Sequence, residues 1–87
     1  MDKHDIIKYP LGTEKTIRLM ESENKLVFVV AMKAKNHEIK AAIEAQFKAK
    51  VLDVRTYISP KGLKRAYVTF SAETPAIDIA TNLGLLG

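Results

Sequence analysis

The chain has 87 residues, of which 47% are hydrophobic and 28% charged, as expected for one small globular domain and too apolar for intrinsic disorder. It contains no cysteine, which excludes a disulfide framework, a thiolate metal site and a cysteine nucleophile. The longest apolar run, Leu26–Met32, is far shorter than a membrane span. We therefore expect a single intracellular, cytoplasmic domain over residues 1–87, with no membrane partner.

The formal net charge of +4 is unevenly distributed along the chain. Residues 1–32 contain five basic and five acidic side chains, whereas residues 33–72 contain nine basic against three acidic ones. Residues 73–87 contain two acidic side chains and no basic one. A basic centre of this kind indicates a polyanionic partner, but a solvated charged surface would give the same count.

The N-terminal residues predict a short strand followed by a helix. The strand covers Asp5–Tyr9 and ends at Pro10. Thr13 is the predicted N-cap of the helix, and Glu14 in the first turn favours the positive end of the helix dipole. We expect this helix to end near residues 22–24.

A central strand and a second helix follow. Lys25–Met32 is rich in β-branched residues and continuously apolar, which predicts a strand covered on both faces. Asn36 is the predicted cap of an amphipathic helix over His37–Ala49, because apolar residues recur there at helical spacing.

Residues 51–71 predict a β-hairpin whose register follows from its apolar alternation. A three-residue loop, Pro60–Gly62, pairs Ser59 with Leu63 and keeps the apolar residues of both strands on one face. A two-residue loop would mix the two faces. Proline at the start and glycine at the end suit a type I turn closed by a bulge. The predicted core face consists of Leu52, Val54, Thr56, Ile58, Ala66, Val68 and Phe70.

The same register defines the other face of the hairpin. It places Tyr57 opposite Arg65 and Arg55 opposite Tyr67, with two lysines at the hairpin tip. Cations bind phosphates, and flat side chains stack on unpaired bases, so this combination predicts RNA binding. The predicted RNA-binding residues of the hairpin are Arg55, Tyr57, Lys61, Lys64, Arg65 and Tyr67.

The last predicted element is a helix that begins with Thr74 as N-cap and Pro75 at the first helical position, and ends at Gly84. The order β-α-β-α-β-β-α indicates an α+β sandwich, in which helices pack on a largely antiparallel sheet. If the last helix covers the second face of the sheet, part of the tyrosine–arginine group lies next to the core.

No residue pattern predicts catalysis, a metal site or a cofactor. The only histidines, His4 and His37, lack the partner spacing of a metal site, and no glycine-rich phosphate loop is present. We therefore expect no small-molecule substrate. RNA binding is favoured from the residues, and the alternatives are a protein-interaction module with a basic face for an acidic partner and a small phosphatase-type enzyme. A basic hairpin can also serve only to protect an edge strand from aggregation.

Two further groups of polar residues are candidate RNA contacts because each lies at a predicted helix start, where backbone N–H groups can meet a phosphate. The first group is Lys33, Lys35, Asn36 and His37, and the second is Thr13, Glu14 and Lys15.

Five stretches have the order and spacing of known family motifs: Tyr9–Lys15, Asn24–Phe28, Ile39–Phe47, Lys64–Val68 and Ile79–Gly84. Together they resemble the large-subunit ribosomal protein family numbered twenty-three in the universal scheme, in its compact archaeal form. One departure is Phe70, where the family usually has leucine. The hairpin loop is far too short for the tunnel-reaching loop of bacterial members.

The resemblance implies a structural constituent of the large ribosomal subunit, not an enzyme. It implies binding to large-subunit rRNA near the polypeptide exit tunnel and a share in the docking surface for nascent-chain factors. The implied protein partners are the neighbouring ribosomal protein of the twenty-nine family and the signal recognition particle. Thr13, Glu14 and Lys15 match the first motif, and Lys64 and Arg65 match the family's basic pair, so the resemblance assigns these residues to rRNA.

Overall fold

A computed structural model of the chain describes residues 6–85 and contains, within that range, the predicted order of strands and helices. The predicted strand start at Asp5, together with His4, lies outside these residues. No helix between residues 6 and 85 is long and apolar enough to cross a membrane. The strands are β1 Ile7–Pro10, β2 Lys25–Val30, β3 Val51–Ile58 and β4 Lys64–Phe70, and the helices are α1 Glu14–Glu23, α2 Asn36–Phe47 and α3 Ala76–Asn82.

The four strands form one antiparallel sheet in the order β1-β2-β4-β3, so β2 is an inner strand, as predicted, and β3 is an edge strand. All three helices contribute to a single core cluster on one face of the sheet, through residues such as Met20, Ile43 and Ile79. The last helix therefore does not cover the second face, which is free of helices within the described residues.

Strand β2 is buried on both faces, but helices cover only one of them. Val27 and Val29 point away from the helices and are nevertheless only 1% exposed. Their direct partners on β4 are Tyr67 and Arg65. Long side chains from the neighbouring strands, and not a second layer of helices, therefore bury these two valines.

The hairpin has the predicted register and loop. The Ser59 N–H donates to the Leu63 carbonyl over 2.8 Å, and Gly62 has the left-handed φ of 81° that favours glycine. Tyr57 pairs with Arg65 and Arg55 with Tyr67. The expectation that two tyrosines and two arginines share one face is thus confirmed.

At its two ends the hairpin departs from the predicted core. Val51, not Leu52, pairs with Phe70, because the register shifts between residues 51 and 53. This β-bulge turns Leu52 outward, where it is 61% exposed, so its predicted core position is wrong. Ile58, at the end of β3 next to the loop, is 63% exposed and is also not a core residue.

Thr13 caps α1 as predicted, and its hydroxyl accepts a hydrogen bond from the Thr16 N–H over 3.3 Å. The other two predicted caps are displaced by one residue, to Lys35 and Pro75. In both places the polar side chain bonds to another part of the fold. Asn36 donates to a β3 carbonyl, and the Thr74 hydroxyl accepts from the Lys50 N–H over 3.2 Å.

Candidate nucleic-acid interface

The face of the sheet opposite the helices, here called the open face, carries tyrosines and arginines beside a buried strand of valines. Strand pairing aligns Tyr9, Val29, Arg65 and Tyr57 in one row across all four strands. The adjacent row contains Val27, Tyr67 and Arg55. The side chains that define the open face are Tyr9, Arg55, Tyr57, Arg65 and Tyr67.

Tyr57 and Tyr67 form an edge-to-face pair on the open face. Their ring centroids are 5.3 Å apart and the rings are nearly perpendicular, at 89°. An edge-to-face contact uses only one of the four ring faces, and Tyr57 is 59% exposed. The pair therefore holds the Tyr57 ring in place while leaving flat aromatic surface accessible.

Arg65 carries the most unusual polar group of the open face. Its Nε is buried, and no hydrogen-bond acceptor reaches it from residues 6–85. A buried donor without a partner destabilises a fold by about 1–3 kcal/mol, so native structures seldom retain one without a reason. An external acceptor would satisfy the Nε–H once the Arg65 side chain turned outward to meet it.

The other arginine is held by a neighbouring acid. Arg55 Nε donates to Asp53 Oδ2 over 3.0 Å, and both side chains are exposed. This hydrogen bond, together with the negative charge of Asp53, raises the pKa of the Arg55 guanidinium. One donor of the Arg55 guanidinium is therefore already used by Asp53, whereas the Nε donor of Arg65 has no partner within residues 6–85.

Lys64 points to the helix side of the sheet, although it is next to Arg65 in sequence. Its Nζ donates to the carbonyls of Met32, over 3.4 Å, and Ala34, over 2.5 Å. Ala34 is fully buried in the turn between β2 and α2. The structure therefore separates the two residues of the basic pair and gives Lys64 a role in holding this turn.

Replacing Lys64 by methionine should destabilise the fold by about 1–2 kcal/mol, because two carbonyls lose a charged donor. Urea unfolding of the original protein and of the variant measures this difference. The free energy of unfolding should depend equally steeply on urea concentration in both proteins. Lys61→Met, at the exposed tip of the same hairpin, is the matched control and should leave stability unchanged. Equal stability of the two variants would show that the Lys64 contacts contribute nothing.

The second predicted group lies beside β3. Asn36 Nδ2 donates to the Val54 carbonyl over 3.2 Å, and its Oδ1 accepts from the Thr56 hydroxyl over 3.3 Å. These bonds hold the start of α2 against the edge strand. A shallow groove there is lined by Asn36, His37, Lys40, Leu52, Asp53 and Val54, and its neighbour is lined by Asn36 and residues 53–57.

The two adjoining grooves bring Asn36 and His37 next to Arg55 and Tyr57 at the β3 edge of the sheet. The sequence had placed the first two residues and the last two in separate groups. Lys33 and Lys35 are exposed in the turn that Lys64 holds, and Lys61 is exposed at the hairpin tip.

The third predicted group is apart from the hairpin. Thr13 caps α1, Glu14 pairs with Arg18 over 2.7 Å, and Lys15 is exposed. Helix α1 packs on β2 and α3. Between residues 6 and 85, no hydrogen bond or ion pair connects these three residues to the open face.

Sequence reasoning missed Tyr9 as an open-face residue. A register shift between Ile7 and Tyr9 makes Lys8 an extra residue in β1 and turns Tyr9 toward Val29. A strand of four residues ending in proline gives no alternation from which this orientation could be predicted. No group of three or more His, Asp or Glu side chains in residues 6–85 could hold a metal ion.

Comparison with known proteins finds relatives over almost the whole chain. The family model described as "Ribosomal protein L23" matches residues 5–79. Proteins named "Large ribosomal subunit protein uL23" are 49% identical in Methanococcus maripaludis strain C5, 47% in Methanococcus vannielii and 45% in Methanococcus aeolicus. Each alignment covers 98% of this chain and 99% of the relative. The chain therefore belongs to the ribosomal protein L23 family.

Proposed function

We propose that this chain is a structural constituent of the large ribosomal subunit, and that its single domain binds large-subunit rRNA through the open face. As a ribosomal protein of the L23 family it is a structural component, not an enzyme, and it acts in the cytoplasm as part of the ribosome. The observation that best supports the choice of face is the buried, unpartnered Nε of Arg65 beside the exposed Tyr57 ring.

The open face supplies the two kinds of contact that RNA requires. Arginine guanidinium groups bind phosphates and base edges, and tyrosine rings stack on bases. Three exposed lysines outside the open face, Lys33 and Lys35 in the turn after β2 and Lys61 at the hairpin tip, add contacts to the RNA backbone that weaken with salt. Thr13, Glu14 and Lys15 form a separate contact at the start of α1, where the family motif assigns rRNA binding.

The protein partners occupy other surfaces in this proposal. In the ribosome the chain lies at the rim of the polypeptide exit tunnel, beside the ribosomal protein of the twenty-nine family. There it helps to dock the signal recognition particle and nascent-chain factors. The family resemblance supports this location. Exposed apolar side chains suited to protein contacts lie outside the open face, with Met32 in the turn after β2 and Ile58 and Leu63 at the hairpin end. They adjoin Lys33 and Lys61, so protein contacts there border the lysines that contact RNA.

Sedimentation of cell lysate tests the assignment. The chain should co-sediment with large ribosomal subunits through a high-salt wash, and nuclease digestion of the subunits should release it. Recovery of one protein partner after complete RNA removal, without sedimentation in the subunit peak, would instead support a protein-interaction module.

Removing the acid that holds Arg55 should strengthen RNA binding. Asp53→Asn frees the guanidinium and removes a negative charge from the open face, so rRNA affinity should rise about threefold, within the range of an exposed ion pair. Filter binding to a large-subunit rRNA transcript measures this change. Asp78→Asn, which removes the same charge from α3, is the matched control and should have little effect. A gain of equal size in both variants would mean that only net charge matters.

A further inference from the structure

We propose that the open face binds an unpaired nucleotide of the rRNA, with its base stacked on Tyr57 and an acceptor of the same nucleotide bonded to Arg65 Nε, and not the backbone of a regular duplex. This inference rests on the rRNA-binding function proposed above and specifies the form of RNA that the open face recognises.

The charges of the open face are too few for a duplex. Proteins bind paired RNA mainly through phosphates and sugars, which requires free cations spread along the surface. Lys25, which is in register with Thr69 and Asp53 on the same side of the sheet, pairs with Glu23 over 3.2 Å, and Arg55 pairs with Asp53. Of the open-face cations, Arg65 alone forms no ion pair within residues 6–85.

The aromatic groups favour an unpaired base instead. In a duplex the faces of the bases are covered by their neighbours, so an aromatic ring can stack only on a base that has left the helix. Tyr57 is exposed, and its contact with Tyr67 fixes the ring before any ligand binds. Such preorganisation lowers the entropy lost when a base stacks.

Arg65 and Tyr57 are placed to contact one nucleotide together. They are direct partners across β3 and β4, which puts their backbones about 5 Å apart. A base lying over Tyr57 therefore brings its polar edge or its own phosphate next to the Arg65 side chain. Because Nε is covered in the unbound chain, the acceptor reaches it when the Arg65 side chain turns outward over the stacked base, which keeps the contact next to Tyr57.

The RNA next to the stacked nucleotide can leave the open face across the β3 edge of the sheet. Strand β3 is an edge strand, so the open face ends at the groove that contains Asn36 and His37. Arg55, Thr56 and Tyr57 line the adjoining part of this groove. The backbone on one side of the stacked nucleotide leaves across this rim, where exposed Lys40 can pair with a phosphate.

Tyr57 variants test the stacking contact. The probe is an in vitro transcript of large-subunit rRNA, bound at fixed salt to the full chain. Tyr57→Leu should bind about tenfold more weakly, as expected for one lost base–aromatic stack, whereas Tyr57→Phe, which keeps the ring, should lose clearly less affinity than Tyr57→Leu. Ile77→Ala, which removes an exposed apolar side chain from α3, is the matched control and should bind normally.

Ultraviolet crosslinking of the same complex identifies the nucleotide. Mass spectrometry should find the peptide that contains Tyr57 joined to a nucleotide that is unpaired in the rRNA secondary structure. A crosslink to a paired nucleotide, or unchanged binding by Tyr57→Leu, overturns the inference while leaving the rRNA-binding function intact. Failure of the original protein to bind the transcript overturns both.

Arg65→Lys separates the directed hydrogen bond from simple charge. Lysine keeps the positive charge but has no Nε–H at this depth, so affinity should fall about fivefold while the salt dependence keeps its slope. Unchanged affinity would show that Arg65 acts only as a charge, which contradicts the bond to a stacked nucleotide.

Discussion

Asn24→Ala should lower the free energy of unfolding by about 3–5 kcal/mol, the largest effect that we expect from a single polar residue in this fold. The Asn24 carboxamide joins the end of α1 to the segment between β4 and α3. Its Nδ2 lies 3.0 Å from the Phe70 carbonyl, 3.1 Å from that of Ser71 and 3.2 Å from that of Thr74. Its Oδ1 accepts from the Ala76 N–H over 2.7 Å.

The backbone of Asn24 adds a second contribution. Its φ is 56°, a left-handed conformation that asparagine tolerates better than alanine. Asn24→Gly keeps this conformation and loses only the side-chain bonds, so it should be about 1 kcal/mol more stable than Asn24→Ala. Comparing the two variants thus separates the carboxamide bonds from the strain.

Urea unfolding monitored by circular dichroism measures these differences. Asn82→Ala, an exposed asparagine at the end of α3, is the matched control and should change stability by less than about 0.5 kcal/mol. If Asn24→Ala were no more destabilising than this control, the carboxamide would not be the connection between α1 and the C-terminal segment.

The second large effect concerns RNA. We expect Arg55→Met combined with Arg65→Met to weaken binding to large-subunit rRNA about 30- to 100-fold and to reduce the salt slope by about one to two. Methionine is chosen because its apolar stem keeps Val29 covered next to position 65. The measurement is a series of binding isotherms between low and moderate salt.

The control for this variant must remove the same charge elsewhere. Lys48→Met combined with Lys50→Met does so on exposed positions outside the open face. If both double variants lost affinity equally, overall charge and not the open face would drive binding. Lys64 is left intact in both, because its ammonium group holds the turn after β2 and its loss would change stability as well.

The element order and the hairpin register were predictable because each depends on local chemistry. Alternation of period two in β3 and β4, with proline and glycine in the loop, admits one register that keeps the apolar side chains together. The same register correctly placed Arg55, Tyr57, Arg65 and Tyr67 on one face. The family resemblance, carried by short motifs in order, was also confirmed.

What the sequence could not predict depends on contacts between distant parts of the chain. The bulge that exposes Leu52 leaves no mark in the alternation of β3. The partners of Lys64 are carbonyls of a turn about thirty residues earlier, so its charge alone suggested a role on the surface. Likewise, the apolar run that contains Val27 and Val29 predicted their burial. It did not show that neighbouring side chains, and not helices, cover them.

A density map of the large ribosomal subunit that contains this chain tests most directly whether the open face is the rRNA interface. We expect rRNA density across the row from Tyr9 to Tyr57, with an acceptor within hydrogen-bonding distance of Arg65 Nε. A map in which this row contacts only solvent or another protein, while rRNA lies against the helices, would contradict the account.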